Sequence, residues 1–243
     1  MSESNLPVIP EAPITDLAQL ESLAGQFLPA TSDPDFADEM GLGGGYLPYI
    51  VLVQGQSPLA APPHEIPQGN FVLKSGKTDV ENLGRSFDVF ICDHRPKAMY
   101  SDKVAGKITS IHDRNDPRFK DFQACANAKE RGYFWGIEFL LYLGETGNYV
   151  TMFCNNPTLR RSGSTELVPR RHKPVTIKAA PVSNEEYSWW AFEAKACSTP
   201  FSVPVDLGLM RSQIEKFQDT SVFEEEHEET NPVTETGGAE RER

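Results

Sequence analysis

Tyr133-Phe134-Trp135-Gly136-Ile137-Glu138-Phe139-Leu140-Leu141-Tyr142-Leu143 is the strongest β signal in the chain. Gly144-Glu145-Thr146-Gly147-Asn148 follows it, and Tyr149-Val150-Thr151-Met152-Phe153-Cys154 comes back. Aromatic and aliphatic residues at this density suit a pleated, half-buried surface. Two such runs joined by a short polar segment with two glycines read as a β-hairpin. Side chains alternate along a strand, so Tyr133 and Trp135 face one way and Phe134 the other.

The same texture extends in both directions. Upstream, Tyr49 to Val53 is a compact β-type run closed by Gly55 and Pro58, and Phe71-Val72-Leu73 opens another. Phe87 to Cys92 alternates in part, as a strand with one drier face does. Residues 93–116 are polar and charged, with a strand-like Lys107 to Ile111 inside them, and residues 117–130 carry Phe119, Phe122 and either Cys125 or Ala126 at helical spacing. Downstream, residues 155–173 read as a polar loop. Val175 to Ala179 and Tyr187 to Cys197 form a second hairpin around Ser183-Asn184-Glu185-Glu186, and Trp189 and Trp190 must point to opposite faces. Six or more short strands with one or two small helices imply a mostly β fold, either an OB-like barrel or a β sandwich.

Charge divides the chain into three. Residues 1–45 carry −8, residues 46–218 carry +3 and residues 219–243 carry −7, so the net charge of −12 lives at the ends. The reading is an acidic flexible arm (1–45), a β-rich core domain (46–218) and an acidic disordered tail (219–243). Within the arm, Thr15 can cap a helix over about 15–28 with Leu17, Leu20, Ala24, Phe27 and Leu28 on one face, either docked on its own domain or offered to a partner. Near the end of the core, Asp206 caps a helix with Leu207, Met210, Ile214 and Phe217 as its stripe. The tail, with its Glu-Glu-Glu-His-Glu-Glu run, is too polar to offset chain entropy.

Several classes are disfavoured. No apolar run approaches the ~20 residues of a membrane span, and the N-terminus lacks the basic and apolar regions of a secretory signal. The four cysteines lie 29 to 43 residues apart with no C-x-x-C, which suits reduced thiols in a cytoplasmic protein and no metal site. No phosphate-binding loop, G-x-S-x-G or H-E-x-x-H motif is present. No cofactor is expected.

Basic residues gather in two polar stretches: Arg95, Lys97, Lys103, Lys107, Arg114, Arg118 and Lys120, then Arg160, Arg161, Arg170, Arg171, His172 and Lys173. Each lies beside strands rich in rings, among them Tyr100, Tyr133, Trp135, Tyr142, Tyr149, Tyr187, Trp189 and Trp190. Single-stranded nucleic acid asks for this pairing: cations neutralise phosphates and release counterions, and exposed rings stack on bases. The candidate binding residues are Arg95, Lys97, Lys107, Tyr133, Trp135, Tyr149, Arg160, Arg161, Arg170, Arg171, Lys173 and Trp189. An acidic tail on such a domain can occupy the groove until nucleic acid displaces it.

This layout over residues 46–243 resembles the phage-encoded OB-fold single-stranded-DNA-binding proteins, and the stretch Leu47-Pro48-Tyr49-Ile50-Val51-Leu52-Val53-Gln54-Gly55-Gln56-Ser57-Pro58 looks like the openings of many phage proteins. The resemblance implies a β barrel with a cationic, aromatic-studded groove for single-stranded DNA. It also implies an acidic tail that contacts replication or recombination proteins, with action in the host cytoplasm; the residues leave a homo-oligomer open. Two other classes fit the residues: a β-sandwich structural or interaction protein (a virion component or inhibitor), and a metal-dependent nuclease. The nuclease would use Glu193-Ala194-Lys195 as an E-x-K half-site, with Asp88 on a neighbouring strand.

Overall fold

The computed structural model describes residues 13–28, 47–76, 79–102, 107–125, 132–184, 187–218 and 223–226. Their elements are α1 (Leu17–Phe27), β1 (Tyr49–Leu52), β2 (Phe71–Lys74), β3 (Val80–Gly84), β4 (Ser86–Asp102), β5 (Lys107–Ile111), α2 (Pro117–Ala124), β6 (Tyr133–Leu143) and β7 (Tyr149–Cys154). They continue with α3 (Pro157–Ser162), β8 (Pro174–Ser183), β9 (Ser188–Ala196), α4 (Leu207–Gln218) and β10 (Phe223–Glu226). The fold is mostly β. No helix among the described residues is long and apolar enough to cross a membrane.

All ten strands belong to one mixed sheet in the order β10-β5-β4-β6-β7-β1-β2-β3, with β8 on β4 and β9 on β8. The β6–β7 and β8–β9 hairpins are where the sequence places them. The barrel is not: the sheet stays open. The reason lies in β4, a 17-residue strand that keeps β6 on one side but changes partner on the other. It pairs with β8 over Ser86–Phe90 and with β5 over Ala98–Asp102, so one edge of β4 carries two separate wings, β8–β9 and β5–β10, instead of one continuous partner. One side-chain latch ties a wing back. The Gln54 amide donates to the Trp190 carbonyl (2.9 Å) and accepts from the Trp190 N–H (3.0 Å), doing for β9 what a ladder partner would.

Both faces of the central strands are covered. Phe87, Val89 and Ile91 pack with Phe139, Leu141 and Leu143 in one core, together with strands β1, β2 and β7–β9. Phe90, Cys92, Leu140 and Tyr142 point the other way, into a second core closed by α1 and α4. Helix α1 is therefore part of the domain rather than a free arm. Asp16, not Thr15, caps it, accepting from the Ala18 N–H at 2.8 Å. Ile14 bridges to Val205, and Leu20 (1% exposed) and Ala24 are buried against the sheet face. Truncating Leu20 to Ala removes buried methyls that neighbours cannot fully replace; a loss of about 2–4 kcal/mol in urea unfolding is expected. A loss within experimental error would mean that α1 is only loosely docked.

The register of β4 against β6 shifts between Ile91 and Asp93, and this bulge decides where the charges go. An extra residue flips every later side chain to the opposite face. Beyond it, His94, Pro96, Ala98 and Tyr100 oppose Phe139, Ile137, Trp135 and Tyr133 on the first face, and Arg95 and Lys97 oppose Glu138 and Gly136 on the second. Gly136 is required there, since a Cβ would stand 1.9 Å from the Cys154 carbonyl oxygen. The structure also differs from the sequence reading in two segments. Residues 155–173 are helical turns rather than loop, with Asn156 capping α3 through the Leu159 N–H (2.8 Å). Phe223–Glu226, expected in a disordered tail, pair antiparallel with β5. The remainder of that tail lies outside the described residues.

Candidate nucleic-acid interface

Glu138 is the only charge in the β6 run, and it is 2% exposed. A carboxylate buried in this way must find cations. Lys97 Nζ lies 2.6 Å from Oε1 and Arg95 Nη2 2.9 Å from Oε2, with His112 Nδ1 3.8 Å from Oε2. Burial alone would raise the Glu138 pKa, but Lys97, Arg95 and His112 together hold it down at about 2. His112 is pushed the other way, to about 4, by burial and by the Arg95 and Lys97 charges. Arg95 also donates to the Phe217 carbonyl at the end of α4 and lies over the Phe217 ring at 4.3 Å. Lys97 lies 5.2 Å from the Phe153 ring centroid. Two of the candidate phosphate ligands thus spend most of their charge inside the protein.

A second buried carboxylate sits beside the bulge. Asp93 (1% exposed) pairs with Arg171 Nε at 2.8 Å, accepts the His94 N–H at 2.8 Å, and takes a further hydrogen bond from the Gln218 side chain. Three of the chain's five histidines, His94, His112 and His172, come to this part of β4. They are 18 or more residues apart in sequence, so no motif announces them. Glu138 could have been found from the sequence, because a lone carboxylate in an apolar strand demands a buried partner.

On the opposite face of the β4–β6 ladder the rings gather. Arg160 lies with its guanidinium carbon 3.8 Å from the Trp135 ring centroid, held there by donating to the Trp135 carbonyl (3.0 Å) and the Asn155 carbonyl (2.6 Å). Tyr133 stacks on Phe122 of α2 at 4.6 Å and lies 4.7 Å from Tyr100. Trp135, Tyr133 and Tyr100 are all half-buried, and Arg161, next to Arg160 on α3, is exposed.

The distal half of the β4–β6 ladder thus carries Arg95 and Lys97 on one face and Tyr133 and Trp135, with Arg160, on the other, while Arg171 sits at the bulge on Asp93. The other candidates lie elsewhere. Tyr149 packs edge-on to Tyr142 (5.2 Å) in the second core, where burial pushes its phenol far above the usual range. Arg170 donates to the Glu166 carbonyl at 2.6 Å, and Lys173 pairs with Glu21 of α1 at 3.1 Å. Trp189 stands opposite Val182 toward the tip of the β8–β9 hairpin, with its indole N–H buried. Lys107 is on β5, and its side chain lies outside the described residues.

The nuclease constellation does not assemble. Asp88 is on β4 and accepts from the Thr176 hydroxyl, while Glu193 and Lys195 are on β9 and pair with each other at 3.3 Å. Strand β8 stands between them, so the acid and the E-x-K pair are not on adjacent strands. Among the described residues no group of three or more His, Cys, Asp or Glu side chains is placed to hold a metal ion. No protein-family model, curated protein or solved structure matches the chain.

Proposed function

We propose that the chain binds single-stranded nucleic acid, single-stranded DNA in phage-type replication or recombination, without cutting it. The observation that carries this reading is the Arg160–Trp135 stack, continued on the same sheet face by Tyr133 and Tyr100. Base–aromatic stacking needs no sequence, because every base has a π face. A base stacks on the Arg160–Trp135 pair, and the exposed Arg161 meets the neighbouring phosphates. The acidic tail competes for this surface. Its first segment, β10, already lies on β5, one strand away from the distal half of β4.

The test is a tryptophan-fluorescence titration with oligo-dT at two salt concentrations. Quenching should be strong at low salt and fall steeply as salt rises, through counterion release. Trp135→Leu should lose about 1–3 kcal/mol of binding and most of the quenching. Removing residues 227–243 leaves β10 in place and should tighten binding. Absent quenching at low salt, with affinity indifferent to the truncation, would end this reading.

A further inference from the structure

Two backbone carbonyls and one ring fix the guanidinium of Arg160. Its Nη1 donates to the Trp135 carbonyl (3.0 Å) and to the Asn155 carbonyl (2.6 Å), which uses both Nη1 protons. Gly136 is what brings the two acceptors together. A Cβ there would stand 1.9 Å from the Cys154 carbonyl oxygen and 3.1 Å from the Asn155 Cα, so a glycine lets the chain entering α3 close on β6. Asn156 then starts α3 by accepting the Leu159 N–H, and Arg160 is the next residue of the helix. The Trp135 ring supports the guanidinium from one side, with the guanidinium carbon 3.8 Å from the ring centroid.

The rest of the guanidinium faces outward. An arginine carries five N–H groups in one plane. With both Nη1 protons used, Nε and Nη2 keep three, two of which point the same way as a side-on fork. No hydrogen bond or ion pair occupies that edge among the described residues, and neither nitrogen is shut away from solvent. Burial draws the Arg160 pKa below the ordinary guanidinium value, and no carboxylate among the described residues offsets it. The group is charged at pH 7 all the same. A half-buried cation without a counter-charge, stacked and held still, suits a ligand that accepts two parallel hydrogen bonds. Fixing the fork in advance also spares the ligand the cost of ordering a long side chain.

The surroundings select the acceptor. Arg161, the next residue on α3, is exposed and offers phosphates a cation in open water. Arg160 instead lies over a ring, in the layer where bases stack, and a base in that layer meets the fork with its edge. Guanine presents O6 and N7 side by side, both acceptors, whereas adenine presents a donor beside N7 and thymine a lone O4. Cytosine offers N3 and O2, but the larger purine gives the next base more surface to stack on. We propose that Arg160 reads one guanine of the bound strand through O6 and N7, so that a single position prefers guanine while the rest of the strand is held without regard to sequence. This rests on the single-stranded-DNA reading above and adds a base preference to it.

The experiment titrates the tryptophan fluorescence of the full-length chain at low salt with short oligo-dT, and with the same strand carrying dG, dA, dC or 7-deaza-dG at its centre. Affinity is read from the midpoint, since bases differ in how strongly they quench. The dG strand should bind on the order of tenfold more tightly than all-dT, the discrimination of one bidentate pair. Replacing N7 by carbon in 7-deaza-dG keeps the stacking surface and should lose most of that gain, and dA should show none. Arg160→Lys keeps the charge but not the fork, and should erase the dG preference while all-dT still binds. The 7-deaza comparison uses the unaltered protein, so it decides even where the variant folds poorly. If every base binds alike, the fork rests on phosphate: guanine recognition is overturned and the stacking surface stands. A preference for dC, or a dG gain that survives 7-deaza-dG, overturns it as well. If no strand quenches at low salt, the single-stranded-DNA reading falls and this inference with it.

Discussion

Glu138→Ala should cost about 3–5 kcal/mol, the usual consequence of deleting one partner of a buried ion pair. The cost does not come from losing an attraction alone. Arg95 and Lys97 would remain mostly buried, 12% and 18% exposed, with their shared counter-charge gone. Against a typical domain stability of 5–15 kcal/mol this is enough to populate the unfolded state. Glu138→Gln keeps two polar atoms in place and should cost less. A triple variant with Leu at 138 and Met at 95 and 97 removes all three charges of the triad and should recover much of the loss, since well-packed apolar groups often replace buried ionic groups without penalty. Urea unfolding of the three variants checks the order. If Glu138→Ala lost no more than a surface substitution, the cluster would have to be far wetter than its burial indicates.

That cluster also explains how much could be read from the residues alone. The β6–β7 hairpin is legible because its apolar content and turn are local, and the β8–β9 hairpin for the same reason. The stretch Asp93 to Asp102 is not. Its charges look like loop, yet it is the second half of the longest strand. Arg95 and Lys97 are matched by Glu138, more than 40 residues away, and Asp93 by Arg171, more than 70 away. Charges that cancel across such distances leave no trace in a local window. The bulge at Ile91–Asp93 compounds the problem, because it interrupts the alternation that would have marked the strand as continuous.

The candidate site was legible in the same uneven way. Trp135, Tyr133, Arg160 and Arg161 come to one end of β6 because an aromatic strand and a basic segment lie close in sequence, with only β7 between them. Tyr149 could not be told from an exposed ring, since nothing local shows that α1 and α4 cover that face of β7. Arg170 and Lys173 lie in the same basic run as Arg171, but the turn after α3 sends one to Glu166, one to Glu21 and one to Asp93. Composition likewise spoke for a disordered tail, because Glu is a poor strand former. The unsatisfied edge of β5 accepts Phe223–Glu226 all the same, through backbone groups that every residue carries.

Acid should unfold the domain in two overlapping steps, and the signs follow from the same residues. His112 has a folded pKa of about 4, below its ordinary value of 6.5. The unfolded chain therefore takes the proton first. The stability His112 contributes is complete above pH 6.5 and is lost as pH falls toward 4. At 1.36 kcal/mol for each pH unit, that loss is about 3 kcal/mol. His172, also held at about 4, works in the same direction. Glu138 follows lower down: its folded pKa of about 2 lies below the ordinary 4.5, so its contribution is present above pH 4.5 and disappears as pH drops toward 2. The two steps are coupled, because a proton on His112 adds a third cation around Glu138. The urea midpoint, measured from pH 7.5 to pH 3, should fall throughout and most steeply below pH 6. His112→Asn removes the first titration but keeps a polar side chain beside Glu138. It should flatten the fall between pH 6.5 and 4 and leave the lower step in place. An unchanged slope in that window would mean that His112 is solvated in the folded protein and that the packing of the β5 end against Glu138 is looser than the distances state.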